Sequence, residues 1–203
     1  MNVSDQNPGP LAAVILAAGK GTRMKSDRHK VLHHIGGRPM LDHLFASLEQ
    51  LNVEKSVLIV GAQKEQLKVY GKRAEMAVQD PQLGTGHAVA QAKAALSDFE
   101  GVVLILYGDV PLIRPETLSK LVSALHEGGE KCGLAVLGFR AANPGHYGRL
   151  ILDEGLLIAI REWKDATSSE KAIDLCNSGI MAVRAPLLFE LLDMLDNNNA
   201  AQE

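Results

Sequence analysis

Between Ala17 and Lys30 the chain sets Gly19 and Gly21 among Lys20, Arg23, Lys25, Arg28 and Lys30. Glycine lets backbone N–H groups converge on phosphate oxygens, and lysine and arginine neutralise the charge, so this stretch suits a polyphosphate. The glycines alone do not say which one. The dinucleotide fingerprint G-x-G-x-x-G fails because Met24 stands where its third glycine belongs. The P-loop pattern G-x-x-x-x-G-K-[ST] does not fit either. Taken alone, a basic surface turn would use the same residues.

Three further stretches carry polar groups suited to a ligand. In Gln82-Leu83-Gly84-Thr85-Gly86-His87 the glycines admit close backbone approach to a flat base, and Gln79 or Thr85 could bond base or ribose; a strand-to-helix turn is the alternative. Asp109 follows Tyr107-Gly108 and precedes Val110-Pro111. A carboxylate there is placed to hold Mg²⁺, which takes few protein oxygens, several waters and phosphate oxygens; a capping or turn aspartate is the other reading. Tyr147-Gly148-Arg149, Glu162 and Asn177-Ser178-Gly179 set polar groups beside glycine or at strand ends, as sugar pockets and surface turns both do. His29, His33 and His34 lack a helical period and a further ligand, so zinc is not expected. Cys132 and Cys176 form no C-x-x-C pair and read as buried, reduced thiols. Ser26 and Ser178 have no recognisable base partner.

The elements that must position these residues alternate strand and helix. Apolar runs at 12–16, 56–60, 76–79 and 102–106 read as strands, that at 102–106 being the most continuous. Helical spacing covers Pro39 to Leu51, Gln63 to Tyr70, Gly86 to Leu96 and Pro115 to His126. A further strand runs from Gly133 to Phe139. This predicts an α/β fold, a Rossmann-like, mostly parallel mixed sheet with helices on both faces. The loop 17–30, the loop around Gln79 to Thr85, and Tyr107 to Asp109 then meet at the carboxyl ends of the parallel strands, where open sheets bind ligands. The second half is less regular. Gly148 to Leu152 and Leu157 to Arg161 flank the turn Asp153-Glu154-Gly155, an extended segment covers Ile173 to Val183, and Pro186 to Leu195 reads as a helix.

Length and composition fit one domain of two lobes, residues 11–203, after a polar tail at 1–10 expected to be mobile. The 203 residues are 46% hydrophobic and 22% charged with a net charge of −3, which argues against a broad nucleic-acid surface. Residues 1–10 lack the apolar centre of a secretory signal, and no apolar run is long enough to span a bilayer, so a cytoplasmic protein is expected.

Four separated blocks now agree with one family. Leu16 to Met24 with Lys30-Val31-Leu32, Gln79 with Leu83-Gly84-Thr85-Gly86, Tyr107 to Pro111, and Tyr147-Gly148-Arg149 with Glu162, Lys164-Asp165-Ala166 and Asn177-Ser178-Gly179 occur in family order. From Leu11 onward the chain resembles the sugar-nucleotide pyrophosphorylases, and among them the N-terminal uridylyltransferase domain of bacterial bifunctional enzymes that make UDP-N-acetylglucosamine. The resemblance implies Mg²⁺-dependent condensation of UTP with N-acetylglucosamine 1-phosphate, a step toward peptidoglycan. It implies that Leu16, Ala17, Ala18, Gly19, Lys30, Gln79, Gly84, Thr85, Tyr107 and Gly108 contact the nucleotide. Arg23 and Lys30 would hold phosphates, Asp109 the metal, and Gly148, Glu162 and Asn177 the sugar. A related nucleotidyltransferase with another base or acceptor, or a non-catalytic nucleotide-binding protein, stays open beside it.

The chain departs from the family in three places. Arg28-His29 stand where the family has Leu-Pro before Lys-Val-Leu-His, which predicts a looser loop. Trp163 is a bulky neighbour for Glu162. The family's Tyr-Tyr-Leu-Thr-Asp segment, a later metal-completing Asn and a β-helix acetyltransferase domain do not follow Glu203. Acetyltransferase activity is therefore not expected of these residues, and without the trimerising domain a monomer is.

Overall fold

The computed structural model describes residues 9–19 and 21–194. The expected tail up to Pro8, Lys20 of the basic loop, Leu195 of the last helix and the residues to Glu203 lie outside the described residues. In chain order come β1 (Leu11–Ala17), β2 (His34–Ile35), β3 (Arg38–Pro39), α1 (Met40–Gln50), β4 (Lys55–Val60), β5 (Glu75–Val78), α2 (Gly84–Ala90) and β6 (Val102–Tyr107). Then follow α3 (Pro115–Glu127), β7 (Leu134–Arg140), β8 (Arg149–Asp153), β9 (Leu156–Arg161), α4 (Ser168–Lys171), β10 (Leu175–Arg184) and α5 (Ala185–Asp193).

Eight strands form one sheet in the order β5-β4-β1-β6-β10-β8-β9, with β7 also on β10. The first four are parallel, as strands joined by helical crossovers must be. Beyond β6 the pairings are antiparallel, so the sheet is mixed.

β1 shows why its sequence carries no polar alternation. Leu11, Ala13, Ile15 and Ala17 face one layer with Leu41, Leu44 and Leu48 of α1 and Leu118, Val122 and Leu125 of α3. Ala12 and Val14 face the other, with Val89 of α2, Leu188 of α5 and Leu96 between them. Both faces of the strand are covered, so every position is apolar. Each large side chain taken fully out of water in these layers contributes about 1.5–3 kcal/mol.

Four local expectations change. The segment expected to be α-helical from Gln63 is a 3₁₀ run over Lys64–Lys72, and its buried residues are Leu67 and Tyr70. That i, i+3 spacing matches a three-residue turn, and Gly71 adds no helical propensity. The helix expected at 86–96 begins earlier, at Gly84, and closes at Ala90; the inward face expected of Ala88, Val89, Ala92 and Leu96 is nevertheless buried. Cys132 is only half-buried, unlike Cys176, and both are free thiols. Pro10, assigned to the tail, accepts a hydrogen bond from the Val102 N–H at 3.0 Å.

Candidate active site

At the carboxyl ends of β1 and β6 a cleft of about 700 Å³ opens. Leu16, Ala17, Ala18, Gly19, Arg23, Lys30, Gln79, Gly84, Thr85, Tyr107 and Asp109 all line it, drawn together from three loops. Gly108 is not on the wall. Its N–H donates to the Leu16 carbonyl at 3.0 Å, and a side chain there would meet Val31 at 3.0 Å, so it packs beneath the cleft floor.

The basic loop is held by contacts that sequence spacing does not reveal. Gln66 donates to the Asp27 carbonyl and accepts from the His29 N–H, each at 2.8 Å. His29 has φ −53° and ψ 137°, the conformation a proline would impose, and its ring is buried. The looseness expected from the missing proline is therefore made up by a side-chain clamp that needs an N–H proline lacks. Burial lowers the His29 pKa below its ordinary value, partly offset by its hydrogen bond to the Ala17 backbone. At neutral pH the ring is an uncharged wedge between loop and β1. Gln82, part of the polar stretch but assigned no role there, reaches the Ala18 carbonyl and ties the second loop to the first.

Gln79 is buried at the cleft edge, its amide donating to the Gly84 carbonyl at 2.9 Å and lying 3.3 Å from Nδ1 of His87. The Lys30 ammonium is ion-paired with the Asp109 carboxylate. Arg23 lines the same cleft and has no ion-pair partner among the described residues. Among those residues no group of three His, Cys, Asp or Glu side chains could hold a metal. A lone carboxylate on an open wall fits an ion that brings its own waters, as Mg²⁺ does, and not a protein-caged transition metal.

Tyr107 joins this cleft to the second half. Burial raises its pKa, the Asp109 and Glu162 charges add to that, and a hydrogen bond with Thr85 offsets part. Its hydroxyl is therefore protonated at neutral pH. The ring packs on Gly179, which has φ +79° and where an added Cβ would fall 2.5 Å from Cε2 of Tyr107. β10 shifts register against β7 between Asn177 and Met181, and the side chain of Asn177 caps that irregularity by accepting from the Gly179 N–H at 2.9 Å. The Asn177 N–H donates to the Gly148 carbonyl at 2.8 Å, and a Cβ on Gly148 would lie 2.8 Å from Oε1 of Glu162. Gly148, Glu162 and Asn177 thus form a second cluster, on the hairpin side of Tyr107 and outside the lining of the first cleft.

The model of MobA-like NTP transferase domains matches residues 13–177. The bifunctional protein GlmU of Novosphingobium aromaticivorans is 54% identical over 195 residues, covering 96% of this chain and 43% of that protein. GlmU of Sphingopyxis alaskensis is 53% identical with the same coverage. The chain thus spans less than half the length of these curated relatives. A solved UDP-glucose pyrophosphorylase complexed with UDP-glucose shares the fold, with TM-score 0.73 at 18% identity over 95% of this chain and 82% of that one. With the sheet order, the cleft and the match in agreement, the chain belongs to the MobA-like NTP transferase family, as a nucleotidyltransferase domain of the GlmU type.

Proposed function

We propose that the chain transfers uridylyl from UTP to N-acetylglucosamine 1-phosphate, giving UDP-N-acetylglucosamine and pyrophosphate. The observation that carries this reading is the single line of side chains from the cationic cleft through Tyr107 to the Gly148–Glu162–Asn177 cluster. A nucleotide and a sugar laid along it would have their phosphates adjacent over Asp109. Kinship with GlmU supports this pairing of substrates.

The chemistry is consistent with the groups present. A phosphate oxygen of the sugar phosphate attacks the α-phosphorus of UTP, the α–β bridging bond breaks, and pyrophosphate leaves. The nucleophile is already ionised, so no general base is required. The barrier lies in bringing polyanions together in line. Arg23, Lys30 and the N–H groups of Gly19 and Gly21 lower that repulsion and stabilise charge on the transferred and departing phosphates. Gln79, Gly84 and Thr85 receive the base and ribose. Asp109 would hold Mg²⁺, which when bound supplies charge neutralisation for the triphosphate and pyrophosphate. Arrival of phosphate frees Lys30 from Asp109 by offering it a more highly charged partner. We place the reaction in the cytoplasm, feeding cell-wall precursor synthesis.

Pyrophosphate release measured with UTP, CTP and GTP against several sugar 1-phosphates, with Mg²⁺ or chelator, tests the proposal. Turnover is expected to be greatest with UTP and N-acetylglucosamine 1-phosphate and lost with chelator. Preference for another base or acceptor would overturn the assignment. Calorimetric UTP binding without pyrophosphate release would replace it with a non-catalytic binder.

A further inference from the structure

We infer that Arg149 and Trp163 form a clamp that sets the spacing of Gly148 and Glu162, and are positioning residues for the sugar of the acceptor. The inference rests on the transferase reading above. Arg149 is only 1% exposed and has no ion-pair partner among the described residues. Its guanidinium donates instead to the carbonyls of Tyr147, of Gly145 at 3.1 Å and of Lys171 at 3.3 Å. It lies 5.2 Å from the centroid of the Trp163 ring. Lys171 Nζ approaches the same ring at 4.9 Å, and the His146 ring meets it edge-on at 5.3 Å. A buried guanidinium without a carboxylate is tolerable only where carbonyl oxygens and an aromatic face replace its water.

What the clamp grips is informative. Two of the three carbonyls belong to the turn immediately before Gly148. Trp163 follows Glu162 directly, just past the end of β9. The stack therefore pins two segments that carry the proposed sugar groups, and Gly148 and Glu162 are close enough that even a methyl on the glycine would strike the carboxylate. Glu162 itself is exposed, so its backbone placement comes from the neighbour and not from its own burial.

Trp163 is the chain's single tryptophan, so its emission reports the clamp directly. UDP-N-acetylglucosamine added to the full chain should shift that emission, whereas UTP alone should leave it unchanged. In steady state, Trp163→Ala should raise KM for N-acetylglucosamine 1-phosphate about tenfold and KM for UTP less than about twofold, and Trp163→Phe, which keeps an aromatic face, should recover most of the loss. Arg149→Lys, which keeps the charge but not the fork, should follow Trp163→Ala. Equal rises in both KM values, a Trp163→Phe enzyme as impaired as Trp163→Ala, or an emission that answers UTP alone or neither ligand would overturn the clamp. Pyrophosphate release with an unresponsive emission sinks the clamp and leaves the transferase standing. An emission that answers only UDP-N-acetylglucosamine, in a chain that releases no pyrophosphate, supports the clamp and sinks the transferase.

Discussion

Gly148→Ala should separate recognition from folding. An alanine Cβ would lie 2.8 Å from Oε1 and 3.3 Å from Cδ of Glu162, where ordinary contact begins near 3.4 Å, so the carboxylate must retreat by about 0.6 Å. Glu162 is exposed and can rotate away cheaply, and Gly148 does not use a left-handed φ that alanine would strain. Stability should therefore change by less than about 0.5 kcal/mol, a shift in Tm under about 2 °C for a chain of this size. Acceptor binding should suffer far more. A charged acceptor moved off a sugar hydroxyl forfeits a bond worth about 1.5–3 kcal/mol, or about ten- to a hundredfold in KM for N-acetylglucosamine 1-phosphate. KM for UTP should stay within about twofold. A coupled pyrophosphate assay with each substrate varied in turn, beside a thermal melt, reads both quantities. An unchanged acceptor KM, or one matched by the UTP KM, would show that Glu162 does not face the sugar; a Tm lower by several degrees would show that the glycine is structural.

Three other perturbations have definite outcomes. Gly179→Ala places a side chain at φ +79° and 2.5 Å from the Tyr107 ring, which cannot swing aside as Glu162 can, so it should cost about 2 kcal/mol and lower Tm by about 4–8 °C in calorimetry; an unchanged melt would mean the ring moves freely. Asp109→Asn should abolish Mg²⁺-dependent pyrophosphate release while the fold persists by circular dichroism, because its partly exposed pair with Lys30 adds at most about 1 kcal/mol; persisting turnover would remove Asp109 from the metal role. His29 has a folded pKa below its ordinary 6.5, so the unfolded chain binds more protons as pH falls below about 6.5 and stability declines from there toward the folded pKa. Urea unfolding at pH 7.5, 6.5 and 5.5 should show that decline, and His29→Asn should flatten it; equal slopes in both chains would argue against a buried neutral ring.

Much of this arrangement was legible because its causes are local. An apolar strand such as β1 announces two covered faces, and a basic glycine loop following it announces the sheet edge where ligands gather. The hairpin β8–β9 was written in Asp153-Glu154-Gly155. What stayed hidden depends on partners far away in the chain. Gln66 gives no sign that it will grip Asp27 and His29, some 37 to 39 residues distant. Nor does Gln82 show that it will reach Ala18. The 3₁₀ run escaped because Leu67 and Tyr70 satisfy an α period and a three-residue period equally well over so short a span. Gly108 shows a related limit: adjacency to Asp109 in the chain does not say which of two neighbours lines the cleft and which packs beneath it.

Crossing from parallel to antiparallel pairing at β6 and β10 has an evolutionary corollary. On the proposed reading, triphosphate handling falls to the parallel strands and their crossover loops, and selection of the second reactant to the antiparallel strands, whose one strand-to-strand link to the parallel set is the β6–β10 pairing. If that division holds, exchanging residues 145–179 between relatives should change the sugar accepted while leaving the nucleotide preference in place.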